Sequence, residues 1–138
     1  DSAKQFKART LQVVKQFAAC SPLPGLKLNG ELAQGENIAD LGGLKIAYYA
    51  LQKALGGKPR EKIEGFTPEQ RFFLSWATIW RANTRPEALR LRAATDTHSP
   101  TEFRANGPLS NLDEFAKAFD VPEGAPMRRP AAERVTIW

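Results

Sequence analysis

This chain of 138 residues contains one cysteine, one histidine and one methionine. Cys20 can close no intrachain disulfide and has no second thiol at metal-ligand spacing, so a disulfide framework and a cysteine-based zinc site are both excluded for these residues. It reads as a small residue near a helix end. The histidine count is equally restrictive. A catalytic zinc site takes three protein ligands, often two His and one Glu, and a sequence whose one His is His98 cannot assemble that set from its own residues. Long hydrophobic runs are missing too: none approaches the ~20 residues of a membrane span. No signal-peptide pattern opens the sequence, so the expectation is a soluble segment. Convincing strand alternation and internal repeats are also absent. Charge of one sign is not concentrated. Twenty Lys and Arg against fifteen Asp and Glu give +5, scattered except for Arg81, Arg85, Arg90 and Arg92 and the pair Arg128-Arg129. Nucleic-acid binding clusters basic residues on one face within a recognisable motif. None is found, so no nucleic-acid partner is expected.

What is present is helical pattern. A hydrophobic content of 42% suffices for one compact domain. Residues 2–19 read as an amphipathic helix, with Phe6, Leu11, Val13, Val14 and Phe17 on the apolar positions. Ser21-Pro22-Leu23-Pro24-Gly25 ends it, and a loop follows to Ala33. A second helix is expected over 34–55, apolar around much of its circumference and therefore buried, with close backbone approach at Gly42-Gly43. Thr67-Pro68-Glu69-Gln70 predicts a capping box with Pro at the first helical position, opening a helix to about Asn83. Its aromatic stripe of Phe72, Phe73, Trp76 and Trp80 reads as core. Pro86 opens a short helix through Ala94. Ser99-Pro100-Thr101-Glu102 predicts another capped start, ended by Asn106-Gly107-Pro108. Ser110 is the expected cap of a last helix carrying Leu112, Phe115 and Phe119 inward, and 121–138 reads as irregular. The fold class is all-α, with five or six helices.

Within that frame, Glu36 and Asp40 stand four residues apart at the start of the second helix, so both carboxylates project from one face. The spacing is also that of any polar helix face. Two features separate this pair from that case: its helix is otherwise too apolar for a surface helix, and the helix dipole stabilises carboxylates at its N-terminal end. A buried carboxylate needs a partner, for which a metal or a His serves. His98 lies just before the Ser99 start signal, where a neutral ring donating one hydrogen bond could stabilise an oxyanion, and Asp96 is placed to orient it. The commoner arrangement is a loop His bonded to a nearby carbonyl. Arg104, on the following short helix, offers a planar fork suited to a peptide carbonyl or a carboxylate; taken alone it is equally an ordinary ion-pair residue.

Three blocks carry a resemblance. Leu28-Asn29-Gly30-Glu31-Leu32-Ala33-Gln34 leading into Gly35-Glu36-Asn37-Ile38-Ala39-Asp40, then Phe66-Thr67-Pro68-Glu69-Gln70-Arg71-Phe72-Phe73, and finally Thr95-Asp96-Thr97-His98-Ser99-Pro100 with Phe103-Arg104, resemble in order the neprilysin family of metallopeptidases. The terminal Trp138 fits the family's usual ending. The resemblance covers nearly the whole chain, but the family's His-Glu-x-x-His motif is not in it. It therefore implies that residues 1–138 are the C-terminal segment of a peptidase catalytic domain. The general-base Glu and both zinc His would then lie upstream.

The resemblance further implies roles. Glu36 matches the zinc-ligating Glu, Asp40 the Asp that orients a ligating His, His98 the His that stabilises the transition state, and Arg104 the Arg that contacts the bound peptide. The cofactor implied is one zinc ion in the intact enzyme, absent from this segment alone. The implied partners are oligopeptide substrates and the missing N-terminal part of the same enzyme. Apolar surface left uncovered would favour self-association. By analogy the enzyme would act outside the cytoplasm, periplasmic or secreted, and the single Cys points to a bacterial relative. The competing expectation is a non-catalytic basic helical binding module that engages an acidic partner through its arginines. It requires the three blocks to be a scaffold without chemistry.

Overall fold

A computed structural model describes residues 2–137 as an all-α arrangement. Six helices follow in order: α1 (Ser2–Ala18), α2 (Gln34–Leu55), α3 (Pro68–Ile79), α4 (Pro86–Thr95), α5 (Thr101–Leu109) and α6 (Asp113–Ala118), then a 3-10 turn at Ala131–Glu133. The helix count and class match the sequence pattern. Among the described residues the only β pairing is two isolated bridges that close turns, Leu23 with Leu26 and Ile63 with Phe66. Trp138 lies outside the described residues.

The long central helix α2 packs on α1 and α5, and α3 packs on α5 and α6. Val13 and Phe17 of α1, Leu41 and Leu44 of α2, Phe73 of α3, and Leu109 and Leu112 form one core. Phe73 is its hub, stacked on Tyr48 at 5.3 Å between centroids and edge-on to Phe115 at 5.6 Å. Such aromatic pairs add stabilisation beyond their buried area.

Local chemistry sets the start of α3. The Thr67 hydroxyl accepts the Gln70 N–H at 3.2 Å, and the Gln70 Oε1 accepts the Thr67 N–H at 3.0 Å. Both halves of the capping box are therefore made. The Gln70 amide also donates to the Ala118 carbonyl at 2.8 Å, which ties α3 to α6.

Other expectations are corrected by tertiary contacts. The third helix stops at Ile79, short of Asn83, with Trp80 as its C-cap. Ser99 caps nothing: Pro100 is the N-cap of α5, and no side chain caps that helix. Gly107 and Pro108 lie inside α5 instead of ending it. A Cβ on Gly107 would stand 2.5 Å from the Phe17 ring, so the glycine is there for close packing on α1. Ser110 is not the cap of the last helix either. Its hydroxyl bonds the Gly107 carbonyl at 2.8 Å, and Leu112 is the N-cap of α6. The close approach expected at Gly43 is not found, since a Cβ there would meet open space. The segment after α6 does more than trail off. Val135 and Ile137 are buried in the core, and the Val135 N–H donates to the Asn111 Oδ1 at 2.9 Å.

The second helix is buried only in its first half. Asn37, Asp40, Leu41, Gly42 and Leu44 are inside, whereas Ile46 is 58% exposed and Tyr49 55%. No helix among the described residues is long and apolar enough to cross a membrane.

Candidate active site

Three elements meet at the N-terminal end of α2. The helix itself presents Glu36, Asn37 and Asp40. Opposite it runs the linker joining α4 to α5, with Asp96, His98 and Ser99, and α5 then brings Arg104. All four residues singled out from the sequence, Glu36, Asp40, His98 and Arg104, fall in this one cluster.

Asp96 shapes the linker. Its Oδ1 accepts the His98 backbone N–H at 2.9 Å and faces the ring Nδ1 at 2.8 Å. This is a local turn of the kind that Asp side chains form with their own backbone. Those two bonds, the backbone one first, hold the Asp96 carboxyl below its ordinary 3.8. The ring is thereby aimed so that Nε2 stands 3.2 Å from the Glu36 Oε2. A ring facing a carboxylate on each side donates to both only when it carries both protons; as neutral imidazole it donates to one.

Arg104 holds Asp40 in a fork. Its Nε meets Oδ2 and its Nη2 meets Oδ1, each at 2.7 Å. Asp40 is 9% exposed and the Arg104 side chain 15%, so the pair is largely shielded. The hydrogen bond to Asp40 raises the guanidinium pKa further above its already high ordinary value, against the opposing effect of burial. Arg104 also lies 4.0 Å from the Glu36 Oε2 and stacks on the Trp80 ring, 4.0 Å from the centroid. Such a cation over an aromatic face is attracted by the ring quadrupole. Glu36, expected to be buried, is instead half-exposed, with 42% of its side chain accessible. The buried carboxylate is Asp40.

The arrangement therefore offers one accessible carboxylate, flanked by an imidazole and a guanidinium that are each held by a second carboxylate. As a metal site it is partial. No group of three or more His, Cys, Asp or Glu that could hold a metal occurs among the described residues. Glu36 would fit as a single donor: its carboxylate is open to solvent, and the Arg104 guanidinium lies close enough to steady it. The chain does not fit as the whole of a zinc site.

The sequence profile of the family described as Peptidase family M13 matches residues 1–135. The chain belongs to this family. Neprilysin-2 of Drosophila melanogaster is 40% identical across 100% of this chain, and human endothelin-converting enzyme 1 is 40% identical across 99%. Among solved structures, the zinc metalloprotease Zmp1 of Mycobacterium tuberculosis superposes with a TM-score of 0.94 at 43% identity, covering 98% of this chain. The chain spans 18% of the length of those two curated M13 relatives and 22% of the solved Zmp1 chain. The helical architecture is thus that of the corresponding piece of an M13 peptidase.

Sequence patterns alone did not reveal three neighbours of the cluster. Ser99 donates to the Asn37 Oδ1 at 2.8 Å, in a buried bond between residues 62 apart. Trp80, read as core, carries Arg104 on its face while its indole N–H is buried without a partner among the described residues. The one available signal was Asn37 itself, an amide next to Glu36 on a helix whose pattern predicts burial.

Proposed function

We propose that residues 1–138 form the C-terminal part of the catalytic domain of a zinc endopeptidase that hydrolyses oligopeptides, and that this part is inactive alone. The observation carrying the reading is the 3.2 Å approach of the His98 Nε2 to the half-exposed Glu36 carboxylate, with the Arg104 guanidinium beside both. A donor and a cation beside an accessible carboxylate are what peptide hydrolysis at a metal needs in place.

Glu36 is the metal ligand in this reading, and the other protein donors come from the upstream part of the enzyme. Zinc, when bound, polarises the peptide carbonyl and acidifies a water. Everything else falls to side chains of this chain. With a proton on each ring nitrogen, His98 keeps its Nδ1 contact with Asp96 and supplies a hydrogen bond from Nε2 to the oxygen that becomes negative as the carbonyl carbon turns tetrahedral. Donors of that kind are often worth about 3 kcal/mol of barrier. Asp96 keeps the ring aimed.

Arg104 spends two of its five N–H donors on Asp40, and the remaining three are free for a substrate carbonyl. The fork thus fixes the plane in which the peptide backbone is held. Each Asp40 oxygen has a second lone pair. The same carboxylate that grips Arg104 can therefore accept a hydrogen bond from a ligand His and set its tautomer. An extracytoplasmic place of action, periplasmic or secreted, belongs to the same reading by analogy with the family.

The test is peptidase activity of the intact enzyme and its His98→Ala variant. We expect kcat to fall about a hundredfold or more with little change in KM, the signature of a contact made in the transition state. A variant that keeps full kcat removes His98 from the mechanism.

A further inference from the structure

The approach of His98 to Glu36 joins two elements that share no covalent proximity; Asp96 sets the orientation of the ring within the linker, but little burial holds the linker itself against α2. Helix α4, which precedes the linker, has no buried residue. Thr97 and His98 are exposed, and Asp96 is only partly covered. The first residue of this stretch to be buried is Ser99, at 5% exposure, and its hydroxyl donates to the Oδ1 of Asn37, which is 1% exposed. Ser99 directly follows His98 and Asn37 directly follows Glu36. The bond thus joins the backbone neighbours of the two side chains whose separation matters. Pro100 restricts Ser99 to extended backbone, which limits how the linker can respond if the bond is lost.

A second feature distinguishes this pair from ordinary packing. The Asn37 Nδ2 is buried with no hydrogen-bond partner among the described residues. A buried amide with one end unsatisfied costs stability relative to an apolar residue of similar size. Its place in the core is therefore accounted for by the bond its oxygen accepts and not by packing.

We propose that the Ser99–Asn37 hydrogen bond is a positioning latch that sets the distance of the His98 ring from the Glu36 carboxylate. The proposal rests on the role given to His98 above. Neither latch residue touches substrate; both act through His98.

The experiment uses the intact peptidase with Ser99→Ala, Ser99→Thr, Asn37→Ala, the double variant, and Ser99→Ala in a His98→Ala background. Ser99→Ala should lower kcat by about tenfold to a hundredfold, the scale expected for a misplaced group, while KM stays within about twofold. Ser99→Thr keeps the hydroxyl and should recover most of the loss. The double variant should lose no more than the worse single, because the two side chains act as one unit. On the His98→Ala background, Ser99→Ala should cost nothing further.

Wild-type kcat in a folded Ser99→Ala protein overturns the latch, and so does a loss that adds to that of His98→Ala. A Ser99→Ala protein that fails to fold assigns the bond to structure alone and overturns the positioning role as well. If His98→Ala itself keeps full kcat, the functional reading fails first and the latch falls with it. If His98→Ala is impaired while Ser99→Ala is not, only the latch is lost.

Discussion

The two halves of α2 invert the usual distribution of residues. Its first half carries a carboxylate and an amide into the interior, Asp40 at 9% and Asn37 at 1% exposure. Its second half leaves Ile46 and Tyr49 more than half exposed. Ordinary folding puts polar groups out and large apolar ones in, so the informative sites are the exceptions. The first exception is explained within this chain: Arg104 pairs with the Asp40 carboxylate, Ser99 donates to the Asn37 oxygen, and the two contacts assemble a cluster around Glu36. The second is not explained by anything among the described residues. An exposed apolar helix face fits a surface that further protein would cover: on the proposed reading the rest of the peptidase, otherwise a second copy.

This contrast can be broken most forcefully at its buried end. Arg104→Ala should leave Asp40 buried without its partner and cost about 3 kcal/mol, since removing one member of a buried pair is far worse than never having had it. Thermal unfolding of the variant measures this. A melting temperature equal to that of the unmodified chain would mean that the fork does not shield a charge.

Next come matched truncations on the one helix. Leu44→Ala, at 2% exposure, should cost roughly 3 kcal/mol by opening a cavity. Ile46→Ala, at 58% exposure, should stay within about 0.5 kcal/mol in this chain. Repeated in the intact enzyme, Ile46→Ala should become costlier if its face is covered there. Equal, small costs in both settings would show that face to be free surface.

A smaller effect is expected on the linker. The Asp96 carboxyl sits below its ordinary 3.8 because it accepts from the His98 backbone and ring. A depressed carboxylate adds stability above its unfolded value and loses it only as pH falls through the folded one. The melting-temperature gap between the unmodified chain and Asp96→Asn should therefore be present at neutral pH and close below 3.8. A gap that persists unchanged in acid would place the effect elsewhere.

The sequence made much of this frame legible, for physical reasons that differ from element to element. The bounds of α2 and the capping box at Thr67 follow from signals within a few residues, and the structure reproduces them. Glu36, Asp40, His98 and Arg104 could be singled out by helical spacing, residue chemistry and resemblance, and they fall in one cluster. Their partners could not. Whether Ser99 caps a helix or reaches Asn37 depends on a residue 62 positions away. That Gly107 makes room for Phe17, and does not end a helix, depends on α1. Arg104 could be offered a substrate or a carboxylate by its chemistry, and only the packing of α5 on α2 puts Asp40 in its fork. Val135 and Ile137 are in the core without any periodicity to announce them. Local chemistry was readable in each case; the choice among partners belonged to the tertiary structure.

The account turns on whether the Glu36 carboxylate is a metal donor whose companions lie on other parts of the enzyme. The direct measurement is zinc content and zinc affinity of the intact protein, its Glu36→Gln variant and the isolated chain. The account predicts one tightly held zinc in the intact protein, its loss in Glu36→Gln with the fold retained, and no sub-micromolar site in residues 1–138 alone. A Glu36→Gln protein that keeps its zinc with unchanged affinity would contradict it.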